Sequence, residues 1–308
     1  MKSKSTLLIF SLVFSFLIGE IFCRMVFGER LIMQFEKDGL YYFRPNQNGW
    51  YLLNYPRARI NNLSARGSDV DEIRMNRDKK FVFLGDSFTF GWLLSDTETI
   101  PHYFGERMKV PDSVVLNFGN GGFGIEHMVA MYRHQQSRLS KRDVVFVIFP
   151  DLDFYRPMEP YQKNVFKEIF WEIREKCSFI SWFYFVLHRS YFSLKSHFES
   201  QIPILQSRPP LTLATLEKDL LVFSKEILTR KQKIVFIFYA FEKSAYSDMA
   251  TTFCRQHHLT CMTEIWLSAE QVKRKGQPLY APDEAHPSAN LNLEVGKQIA
   301  DFVEKNNL

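Results

Sequence analysis

The chain is poor in cysteine and in charge of any one sign, and it has neither an internal repeat nor a low-complexity tract. Its four cysteines, Cys23, Cys177, Cys254 and Cys261, include no Cys-x-x-Cys pair. Zinc knuckles and thioredoxin-type sites need two thiolates on one short turn, so both are excluded. With 39 basic against 34 acidic residues the formal net charge is only +5. Neither zinc-finger spacing nor a basic arm accompanies it, so nucleic acid is not an expected partner. Asp151 and Asp153 stand two apart, but two carboxylates without a third ligand do not make a metal site. No metal and no cofactor is expected.

What the chain has in abundance is phenylalanine, at 30 of 308 residues. That suits a large core or a membrane-facing surface. At the N-terminus Lys2 and Lys4 precede an apolar run from Leu7 to Gly19, continued through Ile21, Phe22, Met25 and Phe27. No small-x-small cleavage site follows, and Phe22 before Cys23 fits a lipoprotein site poorly. Residues 1–28 therefore read as an uncleaved signal anchor: a single pass through the cell membrane, lysines cytoplasmic, domain on the extracytoplasmic side. Glu20 and Arg24, four apart, are placed to pair on one helix face. Residues 29–78 are polar and aromatic and read as an extended segment wrapping the domain.

From residue 79 to 308 apolar runs alternate with helix-length stretches. Phe81 to Leu84, Val114 to Asn117, Val144 to Phe149 and Ile234 to Tyr239 read as strands, with Leu259 to Thr263 as a fifth. All but the last are mainly continuous apolar runs, as parallel strands covered on both faces require. Helices are predicted over Ile125 to Leu139, Leu213 to Leu228, Ala245 to His257 and Ala289 to Lys305, with an amphipathic stretch from Asp96 to Met108. The alternation implies a three-layer α/β fold. The aromatic-rich interval of about 154–210 is too long for a crossover and reads as a helical insertion: helices packed on the core, a lid over an acyl-binding cleft, or a patch against the bilayer. Cys254 and Cys261 leave two readings open, a disulfide or two buried thiols.

Strand Phe81 to Leu84 runs directly into Gly85-Asp86-Ser87. Open α/β sheets place their ligands at such strand ends, and glycine permits the sharp turn. Near the C-terminus stands Asp283-Glu284-Ala285-His286. Together these supply a nucleophile, a base and an orienter for the base. Residues three apart on a helical turn share a face, which would bring Asp283 to His286. Between the two lies the glycine-rich stretch Gly119-Asn120-Gly121-Gly122-Phe123-Gly124.

On Gly85-Asp86-Ser87 with Phe88-Thr89-Phe90-Gly91, on Val115 to Gly124, and on Asp283 to His286, the chain resembles the SGNH, or GDSL, hydrolase family. The resemblance implies a flavodoxin-like parallel sheet. It also implies a serine esterase working through an acyl-enzyme on Ser87, with Gly122 the oxyanion glycine. The family's Gly-x-Asn-Asp block is absent. After Val147-Ile148-Phe149-Pro150 comes Asp151 where the donor asparagine is expected. Three readings are open: Asp151 donates when protonated, Asn120 donates in its place, or turnover is weakened by about a hundredfold. The expected substrates are small acyl esters or O-acylated envelope glycans, with water or a sugar hydroxyl as acyl acceptor. A non-catalytic glycan- or partner-binding module is the rival reading.

Overall fold

A computed structural model describes residues 2–26, 31, 33–36, 38–50, 56–71, 78–150, 156, 158, 169, 173, 177–180, 182–184, 186–187 and 213–308. The chain opens with helix α1 (Lys2–Val26) and four short strands, β1 (Met33–Phe35), β2 (Tyr41–Phe43), β3 (Gln47–Trp50) and β4 (Arg57–Ile60). The α/β unit follows: β5 (Phe81–Leu84), the short helix α2 (Ser87–Phe90), α3 (Ile100–Met108), β6 (Val115–Asn117), α4 (Ile125–Gln135) and β7 (Val144–Pro150). After the insertion come α5 (Leu213–Thr229), β8 (Lys233–Tyr239), α6 (Ala245–Gln256), β9 (Cys261–Met262), α7 (Trp266–Arg274) and α8 (Ala289–Lys305).

The main sheet has five strands in the order β6-β5-β7-β8-β9, all parallel. This is the flavodoxin-like order, whose switch point lies at the carboxyl end of β5, next to β7. Period-2 alternation splits the strand side chains between two cores. Val82, Leu84, Val145, Val147 and Phe149 face Met128, Tyr132, Phe223 and Ile227 from α4 and α5. Phe81, Phe83, Val144, Phe146 and Ile148 face Phe104, Val272, Val295 and Ile299 from α3, α7 and α8. Every residue of β5 and β7 is buried, which is why those strands are apolar without interruption.

The segment before the sheet does more than extend. β1 pairs with β2 and β3 with β4, both antiparallel. Arg66 then bridges antiparallel to Asn117 of β6, so the strap covers an edge that would otherwise expose unpaired backbone groups.

Several elements differ from the sequence expectation. The helix predicted to Leu139 stops at Gln135 and tightens into a 3-10 turn over Gln136–Arg138. The last strand shortens to the two residues that pair with β8. The stretch from Asp96 divides into a 3-10 turn, Asp96–Glu98, and α3, whose N-cap Thr99 accepts from the His102 N–H. Helix α7 was not expected; it buries only Ser268, Ala269 and Val272.

In α1, Thr6–Val26 forms a 21-residue apolar stretch, long enough at 1.5 Å per residue to cross ~30 Å of hydrocarbon. A signal sequence satisfies the same length and composition. Glu20 pairs with Arg24 at 2.6 Å. Its carboxylate also accepts from the backbone N–H groups of Ser178 (3.0 Å) and Phe179 (2.8 Å), and Phe179 packs edge-on against Phe16. Residues 178–180 and 182–184 are helical, so Glu20 satisfies N–H groups that the first turn of a helix leaves unpaired. Most of the predicted insertion lies outside the described residues.

Cys254 and Cys261 form a disulfide between α6 and β9, while Cys23 and Cys177 are free and buried. We expect alkylation of the unfolded, unreduced protein to modify the two free cysteines, and all four only after reduction. The bridge closes a short loop, with a sequence separation of 7. Replacing both bridged cysteines with serine should therefore cost about 2 kcal/mol in denaturant unfolding, near the low end of the usual range. Four reactive thiols without reductant would refute the pairing.

Candidate active site

The turn after β5 is built by its own side chains. Asp86 caps α2, its Oδ1 accepting the Phe88 N–H at 2.9 Å. Gly91 ends α2 with φ +82, a left-handed conformation favouring glycine. Ser87 is thereby fixed at the helix start beside the sheet's switch point. Asn117, at the end of β6, donates to the Thr89 carbonyl at 2.9 Å and accepts the Gly119 N–H at 3.0 Å. One side chain thus ties the serine turn to the glycine loop. A Cβ at Gly119 would meet the backbone N of Phe90, and the carbonyl carbon of Thr89 at 2.7 Å. Only glycine allows that approach.

His286 and Asp283 arrive from the loop before α8, which is a sequence of turns rather than the helical turn expected. Asp283 Oδ1 accepts the backbone N–H of Ala285 at 3.2 Å and of His286 at 3.0 Å. This is an Asx-type turn, with Glu284 at φ +57. The loop is pinned at its base by a bridge between Tyr280 and Pro287 and by the Ser288 hydroxyl donating to Pro278 O at 2.6 Å. Ser288 also caps α8.

Three predicted residues converge. His286 Nδ1 lies 2.5 Å from Asp283 Oδ2, and Nε2 lies 2.9 Å from Ser87 Oγ. A carboxylate accepts only, so Nδ1 carries the proton and Nε2 is left to accept from the serine hydroxyl. Ser87 Oγ also lies 3.2 Å from Asp86 Oδ2, a second acceptor for the same proton. Partial burial pushes the Asp283 carboxyl up, but hydrogen bonds from the His286 N–H, the imidazole and the Ala285 N–H outweigh it and hold it below its ordinary value of 3.8. A depressed carboxylate contributes stability that is present above its unfolded value and lost as pH falls through the folded one.

The oxyanion candidates separate. Among the described residues the backbone N–H groups of Ser87 and Gly122 donate to no protein acceptor. Gly122 has φ +83. The Asn120 side-chain amide donates one N–H to Tyr41 O of the strap at 3.3 Å. Asp151 lies outside the described residues. Among the described residues no three His, Cys, Asp or Glu side chains group to hold a metal ion. A cavity of about 990 Å³ between α4, α5 and the strap, lined by Glu36, Glu126, His134 and Asp219, includes no triad residue.

The chain is similar to GDSL lipolytic proteins of known structure. One, a member of the lipolytic G-D-S-L family from Veillonella parvula, is 14% identical, and the match covers 73% of this chain and 99% of that one at a TM-score of 0.42. Another, a putative lipolytic protein of that family from Desulfitobacterium hafniense, is 11% identical over 73% and 99%, at 0.41. A catalytic mutant of an acetylxylan esterase from Geobacillus stearothermophilus is 14% identical over 74% and 93%, at 0.42. No protein-family model matches the chain, and no curated protein matches it. The strand order and the distances at Ser87 stand independently of these likenesses.

The sequence did not reveal several neighbours of the triad. Trp92 lies flat against the His286 ring, centroids 5.7 Å apart at 16°, and Phe88 meets the same ring edge-on. The Tyr41 hydroxyl donates to Gly121 O at 3.0 Å. Arg156 brings a guanidinium to 3.9 Å from Asp86. Phe88 stood in the quoted first block, but the other three carry no local motif.

If Asp283 fixes the tautomer, Asp283→Asn should lower kcat by about 10³- to 10⁴-fold on a short-chain aryl ester while the protein stays folded. Because the carboxyl sits below its ordinary value, the wild-type acid limb of kcat/KM should show no separate carboxylate protonation in the ordinary range. A second break between pH 4 and 6 (an approximate window set by ordinary carboxylate titration) would contradict the assignment.

Proposed function

We propose that this protein is a serine ester hydrolase that works through an acyl-enzyme on Ser87. The observation that carries the reading is the continuous relay Asp283–His286–Ser87, with contacts of 2.5 Å and 2.9 Å and a tautomer set by the carboxylate. Ser87 Oγ attacks the ester carbonyl as His286 Nε2 takes its proton. The oxyanion meets the N–H groups of Ser87 and Gly122, held ready by the capped turn and the glycine loop. The imidazolium, stabilised by Asp283, then protonates the leaving alkoxide. Water, deprotonated by the same imidazole, releases the acid and regenerates the serine.

The substrates proposed are small acyl esters, including O-acyl esters on envelope glycans, reached by a domain held at the outer membrane face by α1. Two supports exist for the anchored topology: the apolar stretch Thr6–Val26 and the lysines that precede it, which favour a cytoplasmic N-terminus.

Two measurements test this. A fluorophosphonate probe should label the folded full chain at Ser87, and Ser87→Ala and His286→Ala should each abolish both labelling and ester turnover, since the two act as one unit. A folded wild-type protein that takes no label would favour a binding module instead. Protease added to spheroplasts should digest the domain; protection until lysis would refute the topology.

A further inference from the structure

Arg66 belongs to the strap and touches none of the triad, yet its contacts are concentrated on one side of it. Its side chain is 2% exposed. Nη1 donates to the carbonyls of Phe90 (2.8 Å) and Gly91 (2.7 Å), Nη2 to that of Leu94 (2.5 Å), and Nε to Asp96 Oδ1 (2.7 Å). The guanidinium lies over the Phe90 ring, 4.7 Å from its centroid. Its own backbone N–H is fixed to Asn117 O at 2.8 Å, so the clamp is anchored to the sheet.

The clamped turn is a strained one. Gly91 has φ +82 and Leu93 has φ +68. Glycine adopts such a backbone freely, but leucine does not, and a non-glycine residue persists there only when its surroundings over-determine it. Between those two residues stands Trp92. Its ring lies flat on the His286 imidazole, and its Cζ3 sits 2.7 Å from where a Cβ at Gly121 would be. The indole is therefore wedged between the base and the glycine loop.

We propose that Arg66 is a positioning residue for catalysis: by fixing the strained Gly91–Leu94 turn it holds Trp92 against His286, which keeps the imidazole aligned with both Asp283 and Ser87. Five donors on a rigid planar fork suit three carbonyls and a carboxylate at once, a pattern that lysine cannot reproduce. Without the clamp Leu93 relaxes toward negative φ, Trp92 swings away, and the imidazole gains freedom to leave the serine. The proposal rests on the esterase reading for its kinetics but not for its spectroscopy.

The test is Arg66→Lys in the full chain, beside Trp92→Ala and the double variant. Expected are a fall in kcat of about 10- to 100-fold with little change in KM for each, the size that a displacement of about 1 Å produces. The double variant should be no worse than Trp92→Ala. An indole's emission follows its surroundings, so the emission that Trp92→Phe removes from the wild type, which arises from a ring stacked on His286, should shift in wavelength and intensity in Arg66→Lys. If Arg66→Lys does not fold, Asp96→Asn, which weakens the Nε contact together with the bond that Asp96 accepts from the Arg59 N–H but leaves the three carbonyl contacts of Arg66, should move both readouts in the same direction by a smaller amount. An Arg66→Lys protein with normal kcat, or with reduced kcat but an unshifted Trp92 emission, would overturn the proposal. Loss of Ser87 labelling in the wild type would instead remove the esterase reading and leave the fluorescence result standing.

Discussion

The backbone of Gly119 lies against the backbone of Thr89 and Phe90 at a distance that admits no Cβ. Asn117 locks this contact with a hydrogen bond to each side, and the Asn120 N–H adds a third to Gly85 O at 3.1 Å. The ends of β5 and β6 are thereby joined into one rigid ledge. Ser87 stands on one part of it and Gly122 on the other, so the separation of the serine from the glycine proposed to receive the oxyanion is set by main-chain contact rather than by flexible side chains. Preorganised backbone donors of this kind need no rearrangement when charge develops.

Much of the fold was legible because the strands are buried on both faces. β5, β7 and β8 read directly from their apolar runs, and α8 from its amphipathic pattern behind Ser288. Where burial thins, legibility fails. Helix α7 fully buries only Ser268, Ala269 and Val272, with Trp266 and Leu267 half-buried at its start, so its pattern is faint. β9 pairs over two residues, less than one period of any recognisable alternation. The strap's strands are three or four residues long, and nothing in so short a stretch announces a partner.

The site divides in the same way. Ser87, Asp283 and His286 were readable because each sits in a local pattern with a chemical meaning. The geometry joining Asp283 to His286 was not: an Asx-type turn with Glu284 at positive φ does the work that a helical turn was expected to do. Tyr41, Arg66 and Trp92 carried no signal, since their roles exist only across the fold. Tyr41 meets Gly121 over 80 positions, and Arg66 meets Asp96 over 30.

Glu20 gives the N-terminal helix a second duty. Its carboxylate receives N–H groups 158 and 159 positions away, so α1 is joined by hydrogen bonds to a helical segment far along the chain. A tether that also caps a helix holds in place whatever begins there. If α1 stands in a bilayer, the helical segment starting at Ser178 is held beside the membrane with it. Trimming α1 away would then leave uncapped backbone at Ser178 and Phe179, and the remaining domain would not be a simple soluble copy of the anchored one.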